Sequence, residues 1–80
     1  MKIKGNIAIS ETGFVFNPTT GDSFTLNETG KKVINHINEG KSVEQVIALL
    51  KETYNVDTVT LERYLFDFVN ELRINKLVED

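Results

Sequence analysis

The sequence predicts a small α+β domain, with a three-stranded antiparallel sheet followed by three helices. Three observations predict it. Apolar residues in the first quarter alternate with polar or small ones, the period of a half-buried strand. From Asn27 onward the apolar spacing changes to three and four, the period of an amphipathic helix. Turn residues separate the first stretches, and capping residues stand where each helix begins. Strands and helices are therefore segregated along the chain, which places the helices on one face of a small sheet.

The first strand is read from Ile3, Ile7 and Ile9, all at odd positions. Glu11-Thr12-Gly13 is a turn signal, and Phe14-Val15-Phe16 is a short β-favouring run. Asn17-Pro18-Thr19-Thr20-Gly21 is a strong loop, because proline presets φ and glycine supplies positive φ. Ser23-Phe24-Thr25-Leu26 alternates again and completes a meander.

Asn27 is a favoured N-cap, and Glu28 just inside suits the positive end of the helix dipole. Val33, Ile34 and Ile37 fall on one face of this first helix, and Gly40 closes it. Ser42 with Gln45 three residues on forms a capping box for the second. Val43, Val46, Ile47, Leu50 and Tyr54 give that helix its apolar stripe, and Asn55-Val56 breaks it. Asp57 caps the third and longest helix, whose stripe is Leu61, Leu65, Phe68, Val69 and Leu72. The third helix is expected to end near Asn75, with Asn75 in the left-handed conformation, and Leu77-Val78 to tuck back as an apolar tail. No linker or internal repeat appears, so residues 1–80 are expected to form one domain.

Composition narrows the function. The chain has 80 residues, net charge −3 and no cysteine. Cysteine is missing where a secreted domain of this size usually needs disulfide staples, so a cytoplasmic location is expected. No apolar run has signal-peptide or membrane-spanning length. An acidic balance argues against phosphate-backbone binding, which needs clustered Lys and Arg; Lys31-Lys32 is the only adjacent basic pair.

Catalysis needs a nucleophile, base or metal held close to a partner. The single histidine, His36, has Glu39 at ligand-like spacing, but no third ligand follows. The carboxylates, from Glu28 through Asp57 to Glu79 and Asp80, are scattered over helix surfaces and caps. The five glycines are isolated, so there is no phosphate-cradling loop. The sequence thus predicts a binding module, without enzyme activity, metal or cofactor.

Two features suggest where binding occurs. The segment Asp22 to Leu26 is a short edge-strand candidate, and an open edge presents unpaired N–H and C=O groups to another strand. Alternatively, Phe24 and Leu26 merely close the core under a covered edge. On the third helix Phe66 lies about 120° from the centre of the core stripe, with Glu62, Val69 and Arg73 on the same flank. Phe66 is either peripheral core or the wall of an apolar groove rimmed by one acid and one base. Ile74 is also off the stripe, as plain surface or as part of an oligomer contact.

The segment from Asp22 to Val78 resembles the PqqD-like family, small peptide chaperones named for coenzyme PQQ synthesis protein D. The resemblance rests on Phe24-Thr25-Leu26-Asn27-Glu28-Thr29-Gly30, Gly40-Lys41-Ser42-Val43, Tyr54-Asn55-Val56-Asp57, and Leu61, Leu65, Phe68 and Leu72 followed by Leu77-Val78. The sequence departs from the family at Lys76-Leu77, where Gly-Leu is usual. The resemblance implies a winged-helix-like domain that binds the leader segment of a ribosomally made precursor peptide as an added strand. It implies a peptide-binding site of Ser23, Phe24 and Thr25 on the strand and Glu62, Phe66, Val69 and Arg73 on the third helix. It also implies a separate modifying enzyme as partner, often a radical-SAM protein. Two other readings are kept. One is a winged-helix nucleic-acid-binding domain, which the near-neutral exposed face of the third helix disfavours. The other is a structural or homo-oligomerising subunit that uses the same edge on itself.

Overall fold

The computed structural model describes residues 1–79; Asp80, one of the scattered carboxylates, lies outside the described residues. The elements in order are β1 (Lys2–Ile3), β2 (Ala8–Ile9), β3 (Phe14–Asn17), β4 (Asp22–Thr25), α1 (Glu28–Asn38), α2 (Val43–Thr53), α3 (Thr58–Ile74) and β5 (Val78–Glu79). Strands β2, β3 and β4 form the three-stranded antiparallel sheet in that order, and three helices follow it, the α+β arrangement the sequence predicts.

The first strand differs from the expectation. Ile3, Ile7 and Ile9 do not share one strand, because a turn closed by Ile7 N–H donating to the Lys4 carbonyl at 3.1 Å interrupts it. Only Ala8–Ile9 joins the sheet. β1 instead pairs with β5 in a separate two-stranded ribbon, Lys2 opposite Glu79 and Ile3 opposite Val78. Val78 of the expected apolar tail is therefore in a strand, and Ile3, Leu77 and Val78 are all buried.

Each helix starts on its expected cap. Gly30 N–H donates to Asn27 Oδ1 at 2.8 Å. Ser42 and Gln45 close a reciprocal box, with Gln45 N–H donating to Ser42 Oγ at 3.2 Å and Ser42 N–H to Gln45 Oε1 at 2.8 Å. Thr60 N–H donates to Asp57 Oδ1 at 2.7 Å. Gly40, at φ +85°, ends α1. The end of α3 departs from the expectation, for Asn75 stays at φ −84° and the left-handed residue is Lys76, at φ +59°. Asn75 is held by its own amide, which donates to the Glu71 carbonyl at 2.9 Å.

The core lies between the inner sheet face and the helices. Val15, Val33, Ile34, Val46, Leu50 and Leu65 are its most deeply buried side chains. Each contributes on the order of 1.5–3 kcal/mol by leaving water. Of the predicted α3 stripe, Leu61, Leu65, Val69 and Leu72 are buried, and Phe68 is half-buried against the core. Asn17 is a buried polar residue at the end of β3. Its Oδ1 accepts from Thr19 N–H and its carbonyl from Gly21 N–H, so the turn into β4 is tied to the core.

Hydrogen bonds from Thr60 hold the Asp57 carboxyl below its ordinary pKa. A carboxyl depressed in the folded state stabilises the fold above the ordinary carboxylate value of about 4, and that contribution is lost as pH falls through the folded value. Asp57→Asn keeps an accepting oxygen but does not titrate. A thermal melt of this variant should show a shallower fall in Tm between about pH 5 and about pH 3 than the native chain. Equal slopes would mean the cap carries no proton linkage.

Candidate functional site

β4 is an edge strand, and its register decides which of its groups are free. Leu26 N–H donates to the Gly13 carbonyl at 2.7 Å, so Gly13 and Leu26 form a bonded rung. The paired residues continue as Phe14 with Thr25, Val15 with Phe24, Phe16 with Ser23 and Asn17 with Asp22. Bonded and non-bonded rungs alternate along an antiparallel pair. Phe24 therefore spends its main-chain groups on β3, and the Asp22 N–H donates to Thr20 Oγ1 at 3.2 Å, whereas the N–H and C=O of Ser23 and Thr25 point away from the sheet. On the other side, Ser10 N–H donates to the Phe14 carbonyl at 2.9 Å, which agrees with this alternation.

Side chains alternate in the other sense. Val15 and Asn17 point into the core and the half-buried Phe24 packs beside them. Ser23 and Thr25 are exposed on the outer face, together with Phe14 and Phe16.

α3 has two flanks, one on each side of its buried stripe. On the first, Glu62, Phe66, Val69 and Arg73 line a cleft of about 460 Å³ together with Leu65, with Val43, Glu44 and Ile47 of α2, and with Met1. Phe66 is 68% exposed, so it is a wall of this cleft and not peripheral core. The lining is mainly apolar, with Glu44, Glu62 and Arg73 supplying its charge.

On the second flank Tyr64 and Phe68 stack with centroids 5.9 Å apart and planes 11° from parallel. The Phe68 ring lies against Gly30 at the start of α1, where a Cβ would stand only 3.4 Å from its Cε1. Burial raises the pKa of the Tyr64 phenol. Tyr54 extends this aromatic row toward α2. Its hydroxyl accepts from the Thr29 hydroxyl at 3.2 Å and from Lys32 Nζ at 3.3 Å, which together lower its pKa.

The seven expected site residues thus occupy two places. Glu62, Phe66, Val69 and Arg73 come together in one cleft. Ser23, Phe24 and Thr25 come together on β4, and among the described residues no β4 side chain lines that cleft. The separation is geometric. Phe66 and Phe68, two residues apart, face directions about 160° apart around a helix. Only one flank can turn toward the junction of β4 and α1, and Phe68 is on it. The aromatic pair at i and i+4, Tyr64 and Phe68, was the available signal for that flank. Met1 and Glu44 gave no signal of their own, and Val43 and Ile47 were signalled only as part of the apolar stripe of α2.

His36 Nδ1 lies 3.2 Å from Glu39 Oε1. Among the described residues, no group of three His, Cys, Asp or Glu is placed to hold a metal ion, and no helix is long and apolar enough to cross a membrane.

Comparison with known proteins adds three findings. The family model for coenzyme PQQ synthesis protein D (PqqD) matches residues 13–78, more than half of the chain. A solved structure described as TbiB1 in complex with the TbiA(beta) leader peptide is similar at 29% identity, with a TM-score of 0.93 over 99% of this chain and 95% of that one. A second, described as lasso peptide synthetase B1 complexed with the leader peptide, shares the fold at 21% identity and a TM-score of 0.90, over 99% of this chain and 96% of that one. Comparison with curated proteins gave no match.

Proposed function

The chain belongs to the PqqD family, and we propose that it binds the leader segment of a ribosomally made precursor peptide on the outer edge of β4 and presents it to a separate modifying enzyme. The observation that carries this reading is the free main-chain edge at Ser23 and Thr25. A similar chain, at 29% identity, is described in complex with a leader peptide.

Strand addition draws affinity from backbone hydrogen bonds and selectivity from side-chain pockets. Two outward-facing residues offer two N–H and two C=O groups. At about 0.5–1.5 kcal/mol net each, they supply part of the roughly 8 kcal/mol that micromolar binding needs. Apolar burial supplies the remainder, against Phe24 and along α3. The molecule is 36 Å in its longest dimension, and an extended peptide of about ten residues spans some 33 Å. A leader that pairs with β4 reaches the cleft of Glu62, Phe66, Val69 and Arg73 only by continuing past its paired segment and around α3, because that cleft lies on the flank turned toward α2.

In this reading all of residues 1–80 serve as one recognition domain, acting in the cytoplasm. The chain supplies binding and no chemistry. It raises the effective concentration of the peptide at the enzyme. A radical-SAM protein as that enzyme rests on the family resemblance alone.

The test is a titration of the isotope-labelled protein with the leader of a precursor peptide encoded beside its gene. The amides of Ser23 and Thr25 should shift and gain protection from exchange, while that of Phe24 keeps its protection. An edge that stays unchanged while other regions respond would place the site elsewhere. Phe66→Ala, a surface truncation, should alter stability by no more than about 0.5 kcal/mol. It should still weaken leader binding severalfold, and unchanged affinity would confine the guest to the β4 edge.

A further inference from the structure

We infer that the outer face of the sheet is a specificity surface, on which Phe14 and Phe16 read the guest side chains that stand in register with Ser23 and Thr25. The inference rests on the leader reading above. Single exposed apolar residues need no explanation. Here two phenylalanines, 48% and 38% exposed, stand two residues apart on the same face of the central strand. Each lies between small neighbours. Phe16 has Ala8 on one side and Ser23 on the other. Phe14 has Ser10 on one side, bonded through its main chain, and Thr25 on the other.

This arrangement continues directly into the proposed binding edge. The residues whose main chain faces the guest, Ser23 and Thr25, are also the cross-strand partners of Phe16 and Phe14. A strand added to β4 must pair with them, whichever direction it runs. Its residues in register with Ser23 and Thr25 must then put their side chains on the outer face, because alternation along a strand is strict. Neighbouring Cβ atoms across a sheet are about 5 Å apart, so those guest side chains start about 10 Å from the phenylalanines. Two large side chains leaning over a serine or a threonine span that gap, and a small guest residue cannot. The ligand chemistry is therefore an extended peptide with large apolar, preferentially aromatic, side chains at positions i and i+2. The residue between them points inward, toward Phe24.

The test is selection from a displayed library of random peptides about twelve residues long, on the native chain and on Phe14→Thr/Phe16→Thr, which keeps β-favouring residues on the strand. The native chain should enrich peptides with three adjacent selected positions. The double variant should lose the two outer preferences and keep the middle one. Replacing the outer pair by alanine in an enriched peptide should weaken binding to the native chain about tenfold, the effect of two aromatic contacts. The double variant should no longer distinguish the two peptides. The same three-position consensus from both proteins overturns the inference and leaves the leader reading standing. The same holds if the double variant keeps the consensus but abolishes a self-association of the native chain in sedimentation, which would make the face an interface between copies. Failure of the native chain to enrich any peptide overturns both readings. If the double variant is unfolded by circular dichroism, the Phe14→Thr and Phe16→Thr single variants are each expected to lose one outer preference, and retention of both overturns the inference.

Discussion

Ser23→Pro is expected to lower leader affinity at least tenfold to a hundredfold, on the order of one to three lost hydrogen bonds, while the domain stays folded. The register gives this substitution its selectivity. The Ser23 N–H points away from β3, so proline there removes no rung of the β3–β4 ladder. Proline is tolerated on an edge strand where its ring faces solvent, and the extended backbone of Asp22 before it suits a residue preceding proline. A guest strand meets a missing donor and a ring in the place of its own backbone. Ser23→Ala keeps the donor and should bind like the native chain. Phe24→Pro is the opposite control. Its N–H faces β3 and its ring packs against the core, so that variant should lose the hairpin itself. Calorimetric titration of the folded variants with the leader decides the matter. If Ser23→Pro is folded and binds as well as Ser23→Ala, the guest does not add to β4.

The helices were legible because their signals are local. Asn27, the Ser42–Gln45 box and Asp57 are caps whose hydrogen bonds lie within four residues, and all three form. The strand edge was legible in part, since the Asp22 to Leu26 segment alternates and, among the described residues, no strand pairs with its outer side. The break inside the first strand was not. The odd-numbered isoleucines keep period two straight through Gly5-Asn6, and the partner that captures Ile3 is Val78, at the far end of the chain. Long-range pairing of that kind leaves no local pattern. The left-handed residue after α3 was missed for another reason. Asparagine is the better left-handed former, but the Asn75 side chain is committed to the Glu71 carbonyl, and the chain reverses one residue later at Lys76. Lys76 is the position where the family usually has glycine. The helical wheel placed Phe66 correctly relative to the core stripe, yet a wheel does not say which neighbour covers which flank. That required α2 and the start of α1 to be in place, and it put the Phe66 flank against α2 and the Phe68 flank against Gly30.

Gly13→Ala should be the most damaging small substitution at the site, lowering stability by about 2–3 kcal/mol and Tm by roughly 10–20 °C in a domain of this size. Gly13 sits at φ +93°, a conformation that side chains with a Cβ rarely adopt. An added Cβ would come within 2.8 Å of the Leu26 carbonyl oxygen, which is backbone and cannot swing aside. Lys31 also crowds the position, but its flexible chain can move. The strain falls on the rung where Leu26 N–H meets the Gly13 carbonyl, between the end of β4 and the cap of α1. Relief of the clash must part Gly13 from Leu26, which frees the end of β4 next to Thr25. Leader affinity should therefore fall along with stability, even at temperatures where the variant is folded. Gly21→Ala separates the two contributions. Gly21 also has positive φ, +80°, but an added Cβ there meets nothing within 4 Å. It should cost only the backbone strain, about 1 kcal/mol, and leave leader binding unchanged. Denaturant melts of both variants, with leader affinity measured well below each midpoint, test the comparison. Equal losses would show that backbone conformation alone governs Gly13 and that the crowding at Leu26 does not reach the edge.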